Sequence, residues 1–277
     1  MSSLPVDLTV SCVLYKTDPA EVAMMCEQVA AIPLRTHLYL VDNSPGLRPG
    51  FSTVGNVTTI VTGANLGYGR AHNIAIRQAR GTADIHLIAN TDVLFAGDAV
   101  LTLVDRLKRS NEIGMVAPRV VYPDGKLQYL CRLLPRPADL IGKRFFGWSS
   151  WGRQRNDEYE LKKWDYASEA NIPFLSGCFL LSKHDVLEEV GEFDERYFLY
   201  FEDLDLSRRI NSRYTTLFIP DCTITHLYRS KISKNKKLIL YLIGSGFRYF
   251  SKWGWLFDPH RKRVNAETLI AINHARS

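Results

Sequence analysis

The feature that most constrains this chain is an alternation, sustained to about residue 121, of dense apolar β-branched runs with segments of helical period. LTVSCVLY (8–15) carries no charged residue and has the Val/Leu-rich texture of a strand buried on both faces. PAEVAMMCEQVAA (19–31) follows, with Pro19 near its start and apolar residues at helical spacing. THLYLVDN (36–43), VTTIV (57–61), IHLIAN (85–90) and GMVAPRVV (114–121) read as further strands. Between them, YGRAHNIAIRQARG (68–81) predicts a helix with Ala71, Ile74, Ala75 and Gln78 on one face, stopped at Gly81. Another runs from Asp98, its expected N-cap, to about Arg109. The alternation predicts an α/β fold: a mostly parallel central sheet covered by helices on both faces.

The rhythm breaks after the Pro123-Asp124-Gly125 turn. Residues 131–170, rich in Arg, Lys, Trp and Phe without a clean period, read as a long active-site loop or small insertion. FLSGCFLLS (174–182) returns as a strand, KHDVLEEVG (183–191) and EDLDLSRRINSR (202–213) as helices, and YTTLFIPD (214–221) as a last strand. A helical, amphipathic pattern from about Lys236 to Trp253 closes the reading.

In open α/β sheets ligands bind beyond the carboxyl ends of the strands. Three polar clusters fall there: Asp42-Asn43-Ser44, Asn65-Leu66-Gly67-Tyr68-Gly69, and Asn90-Thr91-Asp92. Each alone reads as a turn, since Asn, Asp and Gly dominate turns; three at one rim point to a site. Gly63, Gly67 and Gly69 do not form the G-x-G-x-x-G fingerprint of dinucleotide binding, and no G-x-x-x-x-G-K-[ST] phosphate loop occurs. A nucleotide would have to be held by Asp and Asn side chains with a metal.

VDNSP (41–45), NLGYGRAHNIAI (65–76), LIANTD (87–92), FLSGCFLLSKHDVLEEVGEFDERYFLYFEDLDLSRRI (174–210) and THLYRS (225–230) together resemble family-two inverting glycosyltransferases, nearest to bacterial rhamnosyltransferases of surface-polysaccharide (O-antigen) assembly. The blocks run in order through about the first 230 residues; 131–170 and the tail are poorly matched. The resemblance implies a GT-A-like nucleotide-diphospho-sugar transferase fold over 1–228, its nucleotide-sugar half about 1–122 and its acceptor half about 123–228. It also implies site residues. Asp42 stands where the family meets the nucleobase, a carboxylate suited to the N3–H of uracil or thymine. Asn43, Asn65, Gly67, Asn73, Asn90 and Thr91 belong to the blocks around the nucleotide sugar. Asp92 matches the metal-binding acid of an Asp-x-Asp element whose first acid is here Asn90, and His226 matches a histidine that completes the metal site. Mg²⁺ or Mn²⁺, hard cations that bridge diphosphate oxygens, would be the metal. Glu202-Asp203 matches a Glu-Asp element whose aspartate is the general base for the acceptor hydroxyl, and its place in the first helical turn would favour the ionised form. The alternative for these acids is helix capping alone. Ser176-Gly177-Cys178 resembles the acceptor-side strand, with glycine permitting close backbone approach. No partner pattern makes Cys178 a nucleophile.

Charge distribution adds a partner. The net charge is +6, yet residues 229–263 hold ten Lys/Arg against the single acid Asp258, leaving the remainder at −3. This basic, aromatic-rich 229–277 extension suits an interfacial helix on an anionic membrane surface, and a polyprenyl-diphosphate-linked saccharide acceptor would unite the two halves. A helix packed on the catalytic domain with a solvated basic face is the plainer alternative. No nucleic acid is expected, because the body is acidic and no such motif occurs. MSSLPVDLTV has no basic-then-apolar leader pattern, and the five cysteines show no disulfide framework; the expectation is a cytoplasmic protein, peripheral at the inner face of the bacterial cell membrane. The expected donor is dTDP-β-L-rhamnose. Alternatives are a UDP-hexose-dependent transferase, a nucleotidyltransferase, or a non-catalytic membrane or nucleic-acid binding module.

Overall fold

The computed structural model describes residues 5–46, 55–139, 149–227 and 236–274. Its first half is the expected alternation: β1 (Leu8–Leu14), α1 (Pro19–Ala30), β2 (Thr36–Asp42), β3 (Val57–Val61), α2 (Tyr68–Gln78), β4 (Ile85–Ala89), β5 (Val93–Leu94), α3 (Gly97–Lys108) and β6 (Ile113–Val121). The second half holds β7 (Cys131–Arg132), α4 (Ser150–Tyr159), β8 (Ala170–Asn171), β9 (Phe174–Leu175), β10 (Phe179–Lys183), α5 (His184–Val190), α6 (Glu202–Asn211) and β11 (Thr215–His226). Two helices, α7 (Lys236–Trp253) and α8 (Pro259–His274), follow.

Among the described residues one nine-stranded sheet runs in the order β3-β2-β1-β4-β10-β6-β11-β5, with β8 paired on β11. β3, β2, β1 and β4 are mutually parallel, as are β6 and β11. β10 runs antiparallel between β4 and β6. The mostly parallel sheet of the sequence reading therefore stands. Its faces are buried differently. Leu8, Val10, Cys12 and Leu14 of β1 join Val22, Met25 and Val29 of α1 and Leu103 of α3 in one dry core. On the opposite face Ile88, Met115, Leu180 and Phe218 pack with Leu187 of α5 and Leu206 and Ile210 of α6.

Several local expectations are corrected. The helix at 97 begins behind Ala96 with no side-chain cap, so Asp98 lies inside the first turn and is not the N-cap. Helix α2 buries His72 and Asn73 beside Ala71, Ala75 and Ile76, while Gln78 is exposed. The face is rotated because the sheet offers polar partners: His72 Nδ1 lies 2.8 Å from Ser11 Oγ. FLSGCFLLS is broken at Ser176-Gly177-Cys178 into β9 and β10, for a reason given below. β11 continues to His226, past a register shift between Ile219 and Thr223 that absorbs Pro220 and Asp221. Residues 131–170 have structure of their own: Leu161, Trp164 and Tyr166 enter the second core, and β7 pairs with β9. Residues 140–148 of that stretch lie outside the described residues.

The C-terminal extension packs on the α/β body. Tyr249 and Phe250 of α7 meet Tyr197, Phe201 and Leu204 in a buried cluster. Arg208 of α6, 1% exposed, donates to Asp258 Oδ1 at 2.7 Å and to Tyr249 Oη at 3.0 Å, with its guanidinium 4.1 Å from the Trp253 ring centroid. Asp205 accepts from Trp253 Nε1 at 2.7 Å and pairs with Lys252. Buried charge is tolerated here because every ion has a partner. Three basic residues of the tail thus turn to protein partners: Lys252 to Asp205 and Asp194, Arg261 to Asp258, and Arg248 to the Arg196 carbonyl. Arg229, Lys231 and Lys234 lie outside the described residues. Among the described residues no helix is long and apolar enough to cross a membrane.

Candidate active site

Parallel strands end at a common edge, so the polar clusters converge. Asp42 ends β2, Asn90-Thr91-Asp92 follows β4, and His226 ends β11, all at the carboxyl edge; β10 runs oppositely and starts there, directly after Gly177-Cys178. The two-residue strand β5 pairs antiparallel with the end of β11, Val93 opposite His226, and Leu227 N–H donates to the Asp92 carbonyl at 2.8 Å. This pairing brings the Asp92 carboxylate to 3.3 Å from His226 Nε2. On the other side of the ring, Gln128 Oε1 is 3.1 Å from His226 Nδ1, while Gln128 Nε2 donates to the His226 carbonyl at 2.8 Å. Gln128 thus holds both the ring and the backbone of His226 and orients Nε2 toward Asp92. Burial raises the Asp92 carboxyl, but the hydrogen bond and charge of His226, with help from Asn90, leave it below the ordinary carboxylate range. The group is ionised at neutral pH. A carboxylate and an imidazole side by side fit a divalent cation. Among the described residues no group of three or more His, Cys, Asp or Glu is poised as a metal cage, so diphosphate and water oxygens would complete the coordination.

Asp203 stands at the second position of α6, behind two residues with left-handed backbone, Tyr200 (φ 67°) and Phe201 (φ 69°). Its Oδ2 accepts from Gly177 N–H at 2.9 Å and its Oδ1 from Leu204 N–H at 2.8 Å. A Cβ at position 177 would stand 3.0 Å from Asp203 Cβ, so glycine lets the carboxylate reach the backbone, and that contact is why the strand breaks there. Burial raises the Asp203 carboxyl above its ordinary value, opposed by these N–H groups and by the charge of Arg132. The helix terminus was expected to favour the ionised form of this acid; burial acts against that. Glu202, 5% exposed, is raised much further by burial and then by the neighbouring Asp203 charge. Both carboxyls are raised, Glu202 the more, and Asp203 alone of the two keeps N–H donors from Gly177 and Leu204. Cys178 is buried and its thiol pushed up to about 12, first by burial, which removes it as a nucleophile.

Tyr68 bridges the loop that precedes Asp92 and the segment on which Asp203 is anchored. Its Oη lies 3.0 Å from Asn90 Oδ1 and 2.7 Å from the Gly177 carbonyl, and Asn90 N–H donates to the Cys178 carbonyl at 2.9 Å. The charges of Asp92 and Asp203 both add to the upward shift of the Cys178 thiol. The sequence blocks contained Tyr68 without a role for it. Gln128 and Arg132 were also missed; the guanidinium of Arg132 lies 5.5 Å from the Phe174 ring and influences Asp203. No local pattern marks a residue whose partner lies 98 positions away, as His226 does from Gln128.

The residues expected around the nucleotide divide into two groups. Asp42, 4% exposed, accepts from Ser44 N–H at 3.0 Å. Asn43 donates to Asn65 Oδ1 at 3.0 Å and accepts from Leu66 N–H at 2.8 Å, and Asn65 Oδ1 also accepts from Gly67 N–H at 3.0 Å; the pair shapes the loop before α2. Thr91, Asn90 and Ser176 are half-buried at the rim. Asn73 is drawn away from the rim: fully buried, it donates to the Phe193 carbonyl at 2.9 Å and accepts from Phe193 N–H at 3.0 Å. It clamps α2 to the turn leading toward α6 and does not line the cleft. Gly67 has φ +90°, and a Cβ there would stand 2.3 Å from the Phe198 carbonyl oxygen. Gly67→Ala is therefore expected to cost about 3 kcal/mol of stability through clash and backbone strain, read by urea denaturation against the wild-type chain.

Residues 3–240 match the family described as glycosyltransferase like family 2, and the chain belongs to that family. It is 32% identical over 184 residues to the N-acetylglucosaminyl-diphospho-decaprenol L-rhamnosyltransferase of Mycobacterium tuberculosis (strain H37Rv); the match covers 62% of this chain and 59% of that relative's length. It is 23% identical over 215 residues to rhamnosyltransferase WbbL of Escherichia coli K12, covering 74% of this chain and 78% of that protein. Among solved structures, GalNAc-T7 with UDP, GalNAc and Mn²⁺ superposes with TM-score 0.55 at 14% identity, over 82% of this chain and 44% of that one. The mannosyltransferase PcManGT of Pyrobaculum calidifontis, in complex with GDP-Man and Mn²⁺, superposes with TM-score 0.53 at 18% identity, over 99% of this chain and 77% of that one. The architecture is thus GT-A-like, an α/β fold with a helical C-terminal extension.

Proposed function

We propose that this protein is an inverting glycosyltransferase that moves L-rhamnose from dTDP-β-L-rhamnose to a lipid-linked saccharide at the inner face of a bacterial membrane. The observation that carries the reading is one rim holding the Asp92–His226 pair, 3.3 Å apart, and the Gly177-anchored Asp203, connected through Tyr68. The naming of two relatives as rhamnosyltransferases, one on a decaprenol-diphospho acceptor, supports donor and acceptor class.

In this reading Asp42 accepts the N3–H of the base, and Asp92 and His226 hold Mg²⁺ or Mn²⁺. When bound, the cation supplies charge neutralisation to the departing diphosphate. Asp203 accepts the proton of the acceptor hydroxyl. The freed oxygen bonds to the anomeric carbon as the bond to the nucleotide diphosphate breaks on the opposite side, which inverts the centre. Glu202, held neutral, adds no second negative charge beside the attacking oxygen.

A donor screen measuring nucleotide diphosphate release from dTDP-rhamnose, UDP-glucose, UDP-galactose and UDP-N-acetylglucosamine tests the proposal. Release from dTDP-rhamnose is expected to dominate by about 100-fold, since a site's hydrogen bonds to hydroxyls discriminate strongly. Excess EDTA is expected to abolish it, with Mn²⁺ restoring turnover. Dominant release from a UDP-hexose would replace the donor assignment, and full activity in EDTA would remove the metal from the mechanism.

A further inference from the structure

The basic tail was read from its charges, but its described structure exposes an apolar surface. Helix α7 buries Ser245, Gly246, Tyr249 and Phe250 against the body. Its outer side presents Leu240 at 67%, Ile243 at 63% and Phe247 at 62% exposure, spaced i, i+3, i+7. The turn after α7 continues the patch with Trp255, Leu256 at 93% and Phe257 at 85% exposure. Phe247 and Trp255 are in ring contact, with centroids 5.2 Å apart, so helix and turn form one continuous surface. Scattered exposed apolar residues are ordinary on a protein surface; six in one patch are not.

Charge selects the occupant. Between 236 and 263 the only acid is Asp258, buried on Arg208. The exposed charged residues of 236–263 are Lys236, Lys237, Arg248, Lys252, Lys262 and Arg263, all cationic; of these Lys252 pairs with Asp194 and Asp205, and Arg263 with Glu267. An apolar strip with an aromatic turn and this cationic excess fits the headgroup boundary of an anionic bilayer. The patch also lies close to the chemistry. Tyr241 stacks on Phe198 at 4.5 Å and Ser245 donates to the Leu199 carbonyl at 2.9 Å, so α7 seats directly on the turn that leads into Glu202-Asp203.

We infer that Leu240, Ile243, Phe247 and the Trp255-Leu256-Phe257 turn form an interfacial wedge that inserts into anionic lipid and seats the acid helix α6 at the membrane surface. The inference extends the transferase reading by giving its lipid-linked acceptor a route, yet it stands on exposure and charge alone and is measured without turnover. Full-length protein is mixed with vesicles of phosphatidylcholine, with and without 30% phosphatidylglycerol, about the proportion that gives a cytoplasmic-type surface potential, and sedimented. Wild type is expected to bind the anionic vesicles at least tenfold more strongly than the neutral ones. Leu240→Gln with Phe247→Gln and Leu256→Ser, all at exposed positions, is expected to reduce partitioning at least tenfold while nucleotide diphosphate release with a soluble acceptor stays unchanged. Equal partitioning of wild type and the triple variant would overturn the wedge. So would wild-type dimerisation through this patch, seen by light scattering as a mass halved in the variant, without vesicle binding. Loss of turnover with retained vesicle binding in an Asp203 variant would concern the transferase reading and leave the wedge standing.

Discussion

Asp203→Asn is expected to lower kcat by about 10³-fold while Glu202→Gln lowers it less than tenfold, because positioned general-base catalysis contributes about 10²–10⁴. The two acids adjoin in sequence but not in electrostatics. Burial and the Asp203 charge drive the Glu202 carboxyl toward its neutral form, which an amide imitates closely. The Asp203 carboxylate keeps two backbone N–H donors and feels the charge of Arg132, so it ionises first and alone can take the proton. Asparagine has one carbonyl oxygen for those two donors, and the mismatch is expected to cost about 1–3 kcal/mol in stability. Thermal denaturation of both variants separates that cost from the loss of turnover. The pH profile gives a second reading. A base whose carboxyl is raised by burial loses competence as pH falls through the raised value, so kcat/KM should rise with pH along a limb whose midpoint lies above the ordinary carboxylate range. A limb centred at the ordinary value, or equal losses in both variants, would transfer the role away from Asp203.

The second large effect concerns stability in acid. Beneath α2 a buried polar chain runs through the sheet: His72 to Ser11 at 2.8 Å, Ser11 to His86 at 2.8 Å, His86 to Thr9 at 2.8 Å, and Thr9 to His184 at 2.9 Å. Burial holds His72 at about 3, and burial followed by the charge of Arg80 holds His184 at about 4. Burial also depresses His86, with the neighbouring imidazoles adding to it. A histidine depressed in the folded state binds fewer protons than it does unfolded. Its penalty is absent above its unfolded value of about 6.5 and grows as pH falls from there toward the folded value. For His184, acidification from pH 7 to pH 5 should cost about 2 kcal/mol, against a total stability of about 5–15 kcal/mol. Glu202 and Asp203, raised on folding, act in the opposite direction. The measurement is therefore a difference: between pH 7 and pH 5, wild type should lose about 2 kcal/mol more than His184→Gln in urea denaturation. Parallel losses would show that His184 is not held neutral.

How much of this was legible beforehand depended on whether a residue's partners are local. Apart from the two-residue strand β5, the strands and helices of the first 121 residues were readable within a residue or two, because β-branched runs and helical spacing record burial directly. Helix α8 was not, because its buried residues, Arg261, Val264, Asn265 and Thr268, are mostly polar and serve partners elsewhere, as Asn265 serves the backbone of Leu134. Asn73 looked like a cleft residue in a polar block and proved to be a clamp on Phe193, since a side-chain amide reads the same in either role. His226 was matched to a metal-site histidine, but the last strand was read as ending at 221; the strand continues past the register shift after Ile219 and ends on it.

By itself the amino-acid order determined the alternating α/β framework, the rim on which polar residues would gather, and the membership of Asp92, Asp203 and His226 in one ordered set of motifs. The framework and the rim follow from periodicity and from the direction of parallel strands, which are properties of neighbouring residues; the motif set follows from resemblance to the family. Only the tertiary structure decided that Asp203 takes two backbone N–H donors, which nitrogen of His226 faces Asp92, and which apolar residues of the tail stay exposed. Each of those depends on desolvation and on contacts between distant segments, such as Gly177 with Asp203 and Gln128 with His226, which exist only once the chain has closed on itself.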